Sequence, residues 1–274
     1  MFGHNLFNDI LVIPILNLLV AIYHVLSFAH IPYTLGFSII VLTIAIRLVL
    51  YPLINSQLKA SKKMQEVAPH INKLKEKHKN DAKMLQQETM RVYKEFGINP
   101  AAGCLPVLIQ LPIIWGLYAV LQQIVKADLA AVLKGVNQVV YFDALKLQKP
   151  WDPNFFGLPL GHNPSQLMSS VGFIVLLIPV ITALLQFIQT KMMIMPMPKE
   201  EQKDGKKKND DFATAFQSQS AILFPLMIGF FSFTFPVGLS LYWNTFTIFG
   251  IIQQYKISGL GGLEEYIKKV YGRK

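Results

Sequence analysis

Leu42-Thr43-Ile44-Ala45-Ile46-Arg47-Leu48-Val49-Leu50-Tyr51-Pro52 sets a single arginine inside an otherwise apolar run. Followed outward, the run fills residues 35–56 without another charge, enough for a helix of about 20 residues to cross a hydrocarbon core of roughly 30 Å. At about 1.5 Å per residue, Arg47 sits about 18 Å below the outer end of that span and about 10 Å above its inner end. Arginine at such depth costs at least about 2.5 kcal/mol on insertion scales, so it needs a partner or water. The apolar segments hold no Asp or Glu to pair with it. Thr43, Arg47 and Tyr51 recur at i, i+4 and i+8 and draw one polar stripe down the helix. The side chain either snorkels toward the inner head groups or faces a hydrated cavity open to the cytoplasm and closed toward the outside. The depth favours the cavity.

The rest of the chain has the same character. Of 274 residues, 52% are apolar and only 15% charged, with a formal net charge of +10. That excludes a disordered chain and argues against an ordinary soluble domain. A basic balance on so apolar a chain points to loops lying against anionic lipid heads, not to recognition of a specific nucleic-acid sequence. The single cysteine, Cys104, can form neither an internal disulfide nor a thiolate metal site.

Further apolar segments fill residues 101–126, 167–190, 218–235 and 236–256. The last two meet at Phe235-Pro236-Val237-Gly238, a turn that reverses the chain. Short basic loops stay on the cytoplasmic side. Ten basic residues lie between Lys59 and Lys94, six between Lys191 and Gln217 and five from Lys256 onward, 21 of the 26, against three in residues 127–166 and none in the first 46. The expected fold is therefore an all-α membrane protein of five transmembrane helices with the N-terminus outside and the C-terminus cytoplasmic.

Residues 10–28, within an N-terminal region ending at 34, have no basic flank and so lack the n-region of a signal peptide. Asn17 and His24 share one face, and a helix lying in the outer interface is the reading chosen over a sixth span. In residues 57–100, Ala60, Met64, Val67, Ile71 and Leu74, then Ala82, Leu85, Thr89, Val92 and Phe96, recur at helical spacing. These predict a cytoplasmic helical hairpin turning at Asn80-Asp81 and closed by Gly97 and Pro100, with Pro69 marking a kink or the hairpin's real start. Residues 191–217 read as a flexible cytoplasmic loop, 127–166 as an extracytoplasmic loop, and 257–274 as a basic cytoplasmic tail whose Gly259 to Gly262 is a flexible exit from the last span.

Gln110, Gln186, Gln189, Ser240, Tyr242, Trp243 and Asn244 add polar groups to the spans, enough to line a wet, positive interior. Gly238-Leu239-Ser240 has no histidine in a clear span to activate its hydroxyl. His70 and His78 have no further ligands at usable spacing. Neither an enzyme, a metal nor a cofactor is expected. A small-solute transporter or channel is the alternative class, which would show inverted repeats or broken helices.

Several ordered motifs together resemble the YidC-type membrane protein insertases. They are Ile46-Arg47-Leu48-Val49-Leu50-Tyr51-Pro52-Leu53, Lys62-Lys63-Met64-Gln65 with Pro69, Tyr93 to Pro100, Gly103-Cys104-Leu105-Pro106 through Ile113, and Phe235-Pro236-Val237-Gly238-Leu239-Ser240-Leu241-Tyr242-Trp243 with Gln253-Gln254. The resemblance implies a five-span insertase and chaperone that lets nascent membrane proteins enter the bilayer, alone or beside the Sec translocon, without nucleotide hydrolysis. It implies a hydrophilic groove with one arginine, matched by Arg47, a threonine one turn earlier, matched by Thr43, and an aromatic in the last span, matched by Trp243 or its neighbour Tyr242. Gln110 and Gln189 are expected to line the same groove. The hairpin would receive substrate, and the basic tail and hairpin would face the ribosome. The expected site is a bacterial plasma membrane.

Overall fold

The computed structural model describes residues 5–78, 81–99, 105–124, 128–193, 212–264 and 267. A π-helical turn, Asn8–Val12, leads into α1 (Ile13–Phe28). Then follow α2 (Thr34–Val49), α3 (Tyr51–Lys77), α4 (Ala82–Glu95), α5 (Leu105–Ile124) and α6 (Leu129–Asn137). A two-stranded antiparallel ribbon, β1 (Asn154–Phe155) with β2 (Leu158–Pro159), precedes α7 (Pro164–Val171), α8 (Leu177–Met193), α9 (Phe212–Thr234) and α10 (Val237–Ser258).

Local chemistry sets several starts. Proline stands in the first two positions of α1, α3 and α7, and at α7, which starts from an extended Asn163, its missing N–H had no partner to lose. Asp81 and Asp128 accept from the backbone N–H of Met84 and Ala131, and Asn163 with Gln166 forms a capping box. Among the described residues, Asn8–Phe28 and Phe173–Met193 are long and apolar enough to cross a membrane. The interrupted pair Thr34–Val49 and Tyr51–Met64 adds a third if counted as one span.

Contacts divide the chain into two compact units. The first comprises Met1–Val49, Ile109–Phe187 and Ile222–Phe249. Its core joins Val12, Leu16, Leu19 and Val20 with Leu35, Ile39 and Leu42, with Leu117, Val120, Leu121 and Ile124, and with Val237, Leu239 and Tyr242. The segment between α5 and α7, apolar but without periodicity, is drawn into this core by Trp151, which is 1% exposed and donates to the Ile124 carbonyl at 3.0 Å. Asn17 ties α1 to the same segment, donating to the Val139 carbonyl and accepting from the Tyr141 N–H, while His24 Nε2 contacts the Leu145 carbonyl at 3.0 Å. The Phe235-Pro236 turn is held there too, Val237 and Gly238 donating to the carbonyls of His162 and Leu160.

The second unit comprises Leu50–Leu108, Ile188–Ala221 and Gly250–Lys274. Within it, α3 and α4 pack through Val67, Ile71, Val92 and Ile98, with Met64, Leu74 and Tyr93 around them. The C-terminus of α4 closes with Gly97 and Ile98 donating back to the carbonyls of Lys94 and Tyr93, which satisfies two otherwise open acceptors.

Several boundaries differ from expectation. The helix expected over 35–56 stops at Val49, because Pro52 offers no N–H to the Leu48 carbonyl and its ring crowds that turn; a new helix starts at Tyr51. The span expected over 167–190 is displaced toward the C-terminus. The Asn163 capping box starts a separate short helix that ends before Gly172, and a 3-10 turn, Phe173–Leu176, leads into α8. α9 begins at Phe212, ahead of the expected 218. Pro69 neither breaks nor starts a helix: α3 runs through it, one lost hydrogen bond being outweighed by the packing of Val67 and Ile71 on α4. Nor is Gly259 to Gly262 a loose exit. Leu263 and Glu264 donate to the carbonyls of Leu260 and Gly261, and Gly261 lies directly on the Met192 carbonyl at the end of α8. The expected loop through residues 194–211, the Asn80 part of the hairpin turn, Cys104 and residues 268–274 of the tail lie outside the described residues.

Candidate functional site around Arg47

On α2 the buried positions Leu35, Ile39, Leu42, Thr43 and Arg47 share one face, so the helix turns its arginine inward along with its apolar contacts. Arg47 is 3% exposed. Its Nη2 donates to the backbone carbonyl of Phe246 at 2.6 Å, and the guanidinium carbon lies 3.4 Å from the centroid of the Phe246 ring, with Phe249 at 5.9 Å. A charge-assisted bond to a carbonyl and the negative face of an aromatic ring are what a bundle without carboxylates can offer a buried cation. They do not satisfy it completely. Arg47 Nε is buried and makes no hydrogen bond to the protein. The described ion pairs join Arg91 to Glu88 and Glu95, and Lys146 to Asp143, and none involves Arg47.

Thr43, fully buried, donates its hydroxyl to the Ile39 carbonyl at 2.6 Å. It shapes the wall above Arg47 without bonding to it. Tyr51, the third member of the expected stripe, lies past the break at Leu50, in α3 of the second unit, and is 39% exposed.

Tyr242 and Trp243 are neighbours in sequence but about 100° apart around α10. Tyr242 is 0% exposed, accepts from Gln110 Nε2 at 2.6 Å and lies 5.8 Å, ring to ring, from Phe246. It therefore stands on Arg47's side of the helix. Trp243 points to α8 and donates from Nε1 to Gln186 Oε1 at 3.0 Å. On that side the Ser232 hydroxyl meets those of Thr182 at 3.1 Å and Ser240 at 2.8 Å, a buried hydroxyl chain joining α8, α9 and α10. Gln189 is half-buried and belongs to the second unit. Arg47, Thr43, Gln110 and Tyr242 thus gather in one place, and Trp243 serves a different contact.

Phe246, which holds the guanidinium, carries no polar signal in the sequence. Its only trace is its place one turn beyond Tyr242 on the same face. The chemistry available is electrostatic: a cation in a low-dielectric setting with one N–H unmatched by the protein attracts an anionic group strongly.

Comparison with known proteins agrees with this architecture. The family model described as 60Kd inner membrane protein matches residues 17–260. ALBINO3-like protein 1, chloroplastic, of Arabidopsis thaliana is 31% identical over 257 residues, covering 89% of this chain and 47% of that protein. Inner membrane protein ALBINO3, chloroplastic, of the same organism is 32% identical, covering 86% and 49%. Membrane protein insertase YidC of Rickettsia prowazekii (strain Madrid E) is 32% identical over 227 residues, covering 81% of this chain and 35% of that one. The chain spans half the length or less of these curated relatives. A solved structure described as an active YidC insertase with the first transmembrane domain resolved shares the fold, with a TM-score of 0.54 at 23% identity over 92% of this chain and 47% of the other. The match over nearly the whole chain, around an apolar helical bundle that buries an arginine, places this protein in the 60Kd inner membrane protein family that the YidC and ALBINO3 relatives share.

Proposed function

We propose that the protein is a membrane protein insertase that moves nascent membrane proteins into the bilayer through a hydrated, positively charged intramembrane groove at Arg47. The observation that carries this reading is the burial of Arg47 with its Nε unmatched and, among the described residues, no carboxylate bonded to it. A nascent chain's hydrophilic end faces several kcal/mol per polar group in hydrocarbon, and a wet half-channel shortens that path. Arg47 attracts acidic residues in the translocating end while the apolar part of the substrate slides out against lipid. The groove lowers a barrier and breaks no bond.

In this reading α2, α5, α8, α9 and α10 are the five spans, the C-terminus is cytoplasmic, and α3 with α4 is the cytoplasmic hairpin that receives substrate. α1 lies in the outer interface. That placement is supported by Asn17 and His24, about 10 Å apart along the helix axis, both bonding to the backbone of one loop, at Val139, Tyr141 and Leu145. Both contacts hold α1 against a loop that this reading places outside. The plasma membrane of a bacterium is the proposed location, with the Sec translocon and the ribosome as partners.

Purified protein in lipid vesicles, given a newly synthesised single-span substrate, tests the reading. Insertion, scored by protease protection, is expected without nucleotide, and deletion of residues 57–100 is expected to abolish it. Protection no greater than in empty vesicles would overturn the assignment.

A further inference from the structure

We propose that the Phe156-Gly157 loop, together with Tyr33, is an aromatic anchor that seats the N-terminal end of α2 in the head-group layer of the bilayer. The reasoning begins with a local contradiction. Phe156 and Gly157 form the two-residue loop of the β1–β2 ribbon, with φ of +50° and +81°. A hairpin loop with both φ values positive favours Asn-Gly or Gly-Gly, and phenylalanine is a poor occupant of its first position because its Cβ crowds the backbone. Tyr33, just before α2, is held at φ +53° as well. The two strained aromatics meet ring to ring, centroids 4.6 Å apart.

Strain of this kind persists where surrounding structure imposes it, and it marks positions that are used. What imposes it here is Phe155. Its ring packs edge-on against Tyr33 and Phe37, at 6.1 and 5.4 Å, in space left open by Gly36, where a Cβ would run into it. Phe155 fills that space in the contact between the ribbon and α2, and Phe156, its ring centroid 6.3 Å from that of Phe37, lies at the edge of the contact. Its ring is 64% exposed, and that of Tyr33 37%.

The partner follows from position and charge. Exposed Val25 and Phe28 on α1 and Val41 on α2 form apolar surface that, in a membrane-embedded chain, faces lipid. Phe156 and Tyr33 add exposed aromatic surface at the start of α2, and Asp152 and Asn154 in the adjoining segment are exposed and polar. Residues 1–46 contain no Lys or Arg, and of the three lysines in residues 127–166 Lys146 is paired with Asp143, so few cations are available to hold head groups at this end. Tyr33, an amphipathic ring with the apolar Phe156 packed beside it, supplies an alternative anchor at a membrane–water boundary. The inference rests on membership of a membrane-embedded family and not on insertase activity.

Site-directed spin labelling tests it. In the full-length chain carrying Cys104→Ser, nitroxide labels are placed at Phe156→Cys, Tyr33→Cys and, as control, Asn154→Cys. Cysteine is no more hindered than phenylalanine at positive φ, so the backbone meets no new clash, and Tyr33→Cys serves if the ribbon variant fails to fold. In vesicles of phosphatidylethanolamine and phosphatidylglycerol, labels at positions 156 and 33 are expected to be relaxed more by dissolved oxygen than by a water-soluble nickel chelate, with the reverse at 154. Equal access of the chelate to all three would overturn the anchor. So would labels open to the chelate in pure lipid but shielded from both reagents in native membranes, which would assign the patch to a protein partner.

Discussion

Arg47 and Phe246 are joined twice, by a hydrogen bond from the guanidinium to the Phe246 carbonyl and by the stacking of that guanidinium on the Phe246 ring, 3.4 Å from its centroid. Only the second link depends on the side chain. Phe246→Leu therefore keeps the carbonyl and removes the ring, with an expected loss of about 1–2 kcal/mol at this desolvated site. Thermal melting in detergent would register it. Phe246→Tyr, which keeps a ring, should melt nearer the parent, and equal losses in both variants would reduce the contact to simple packing.

At the end of α8 the backbone of Gly261, at φ +53°, rests on the Met192 carbonyl, whereas Gly259, at φ +67°, has open space around its α-carbon. Alanine at position 259 meets only the left-handed backbone penalty, about 1 kcal/mol. Alanine at 261 adds a collision with backbone, so Gly261→Ala should destabilise by about 2–3 kcal/mol, well beyond Gly259→Ala. A melting comparison of the two variants checks the order, and equal effects would mean that the segment is not docked on α8.

Placement of α1 in the outer interface predicts that cysteines at Asn5 and Gln138, in a Cys104→Ser background, both react with an impermeant thiol reagent added to intact cells. Reaction at Asn5 only after lysis would make α1 a sixth span.

The inward-facing cation was legible in the sequence, because an arginine in an unbroken apolar run has few affordable surroundings. Thr43 was placed on the same face by its spacing of four from Arg47, and it is buried there. The choice between Tyr242 and Trp243 was not, since adjacent helical residues differ by about 100° in direction and nothing local says which side meets α2. Phe246 was silent because a ring that holds a cation looks like any core phenylalanine. Pro52 and Pro69 show the limit of local rules. The first ends a helix where the chain can restart, and the second is carried by α3 because Val67 and Ile71 pack on both sides of it in sequence. Trp151 organised a loop whose sequence has no periodicity, through a hydrogen bond to Ile124 that no spacing rule foretells.

The role of Arg47 as a positive charge is tested most directly by one comparison: vesicle insertion of a substrate with an acidic translocated end and of the same substrate with that end neutralised, by parent, Arg47→Lys and Arg47→Ala proteins at matched folded amounts. Attraction to carboxylates predicts that lysine keeps much of the activity and that alanine impairs the acidic substrate most and the neutral one least. Equal defects of Arg47→Ala for the two substrates would contradict it and leave the arginine a structural part of the bundle.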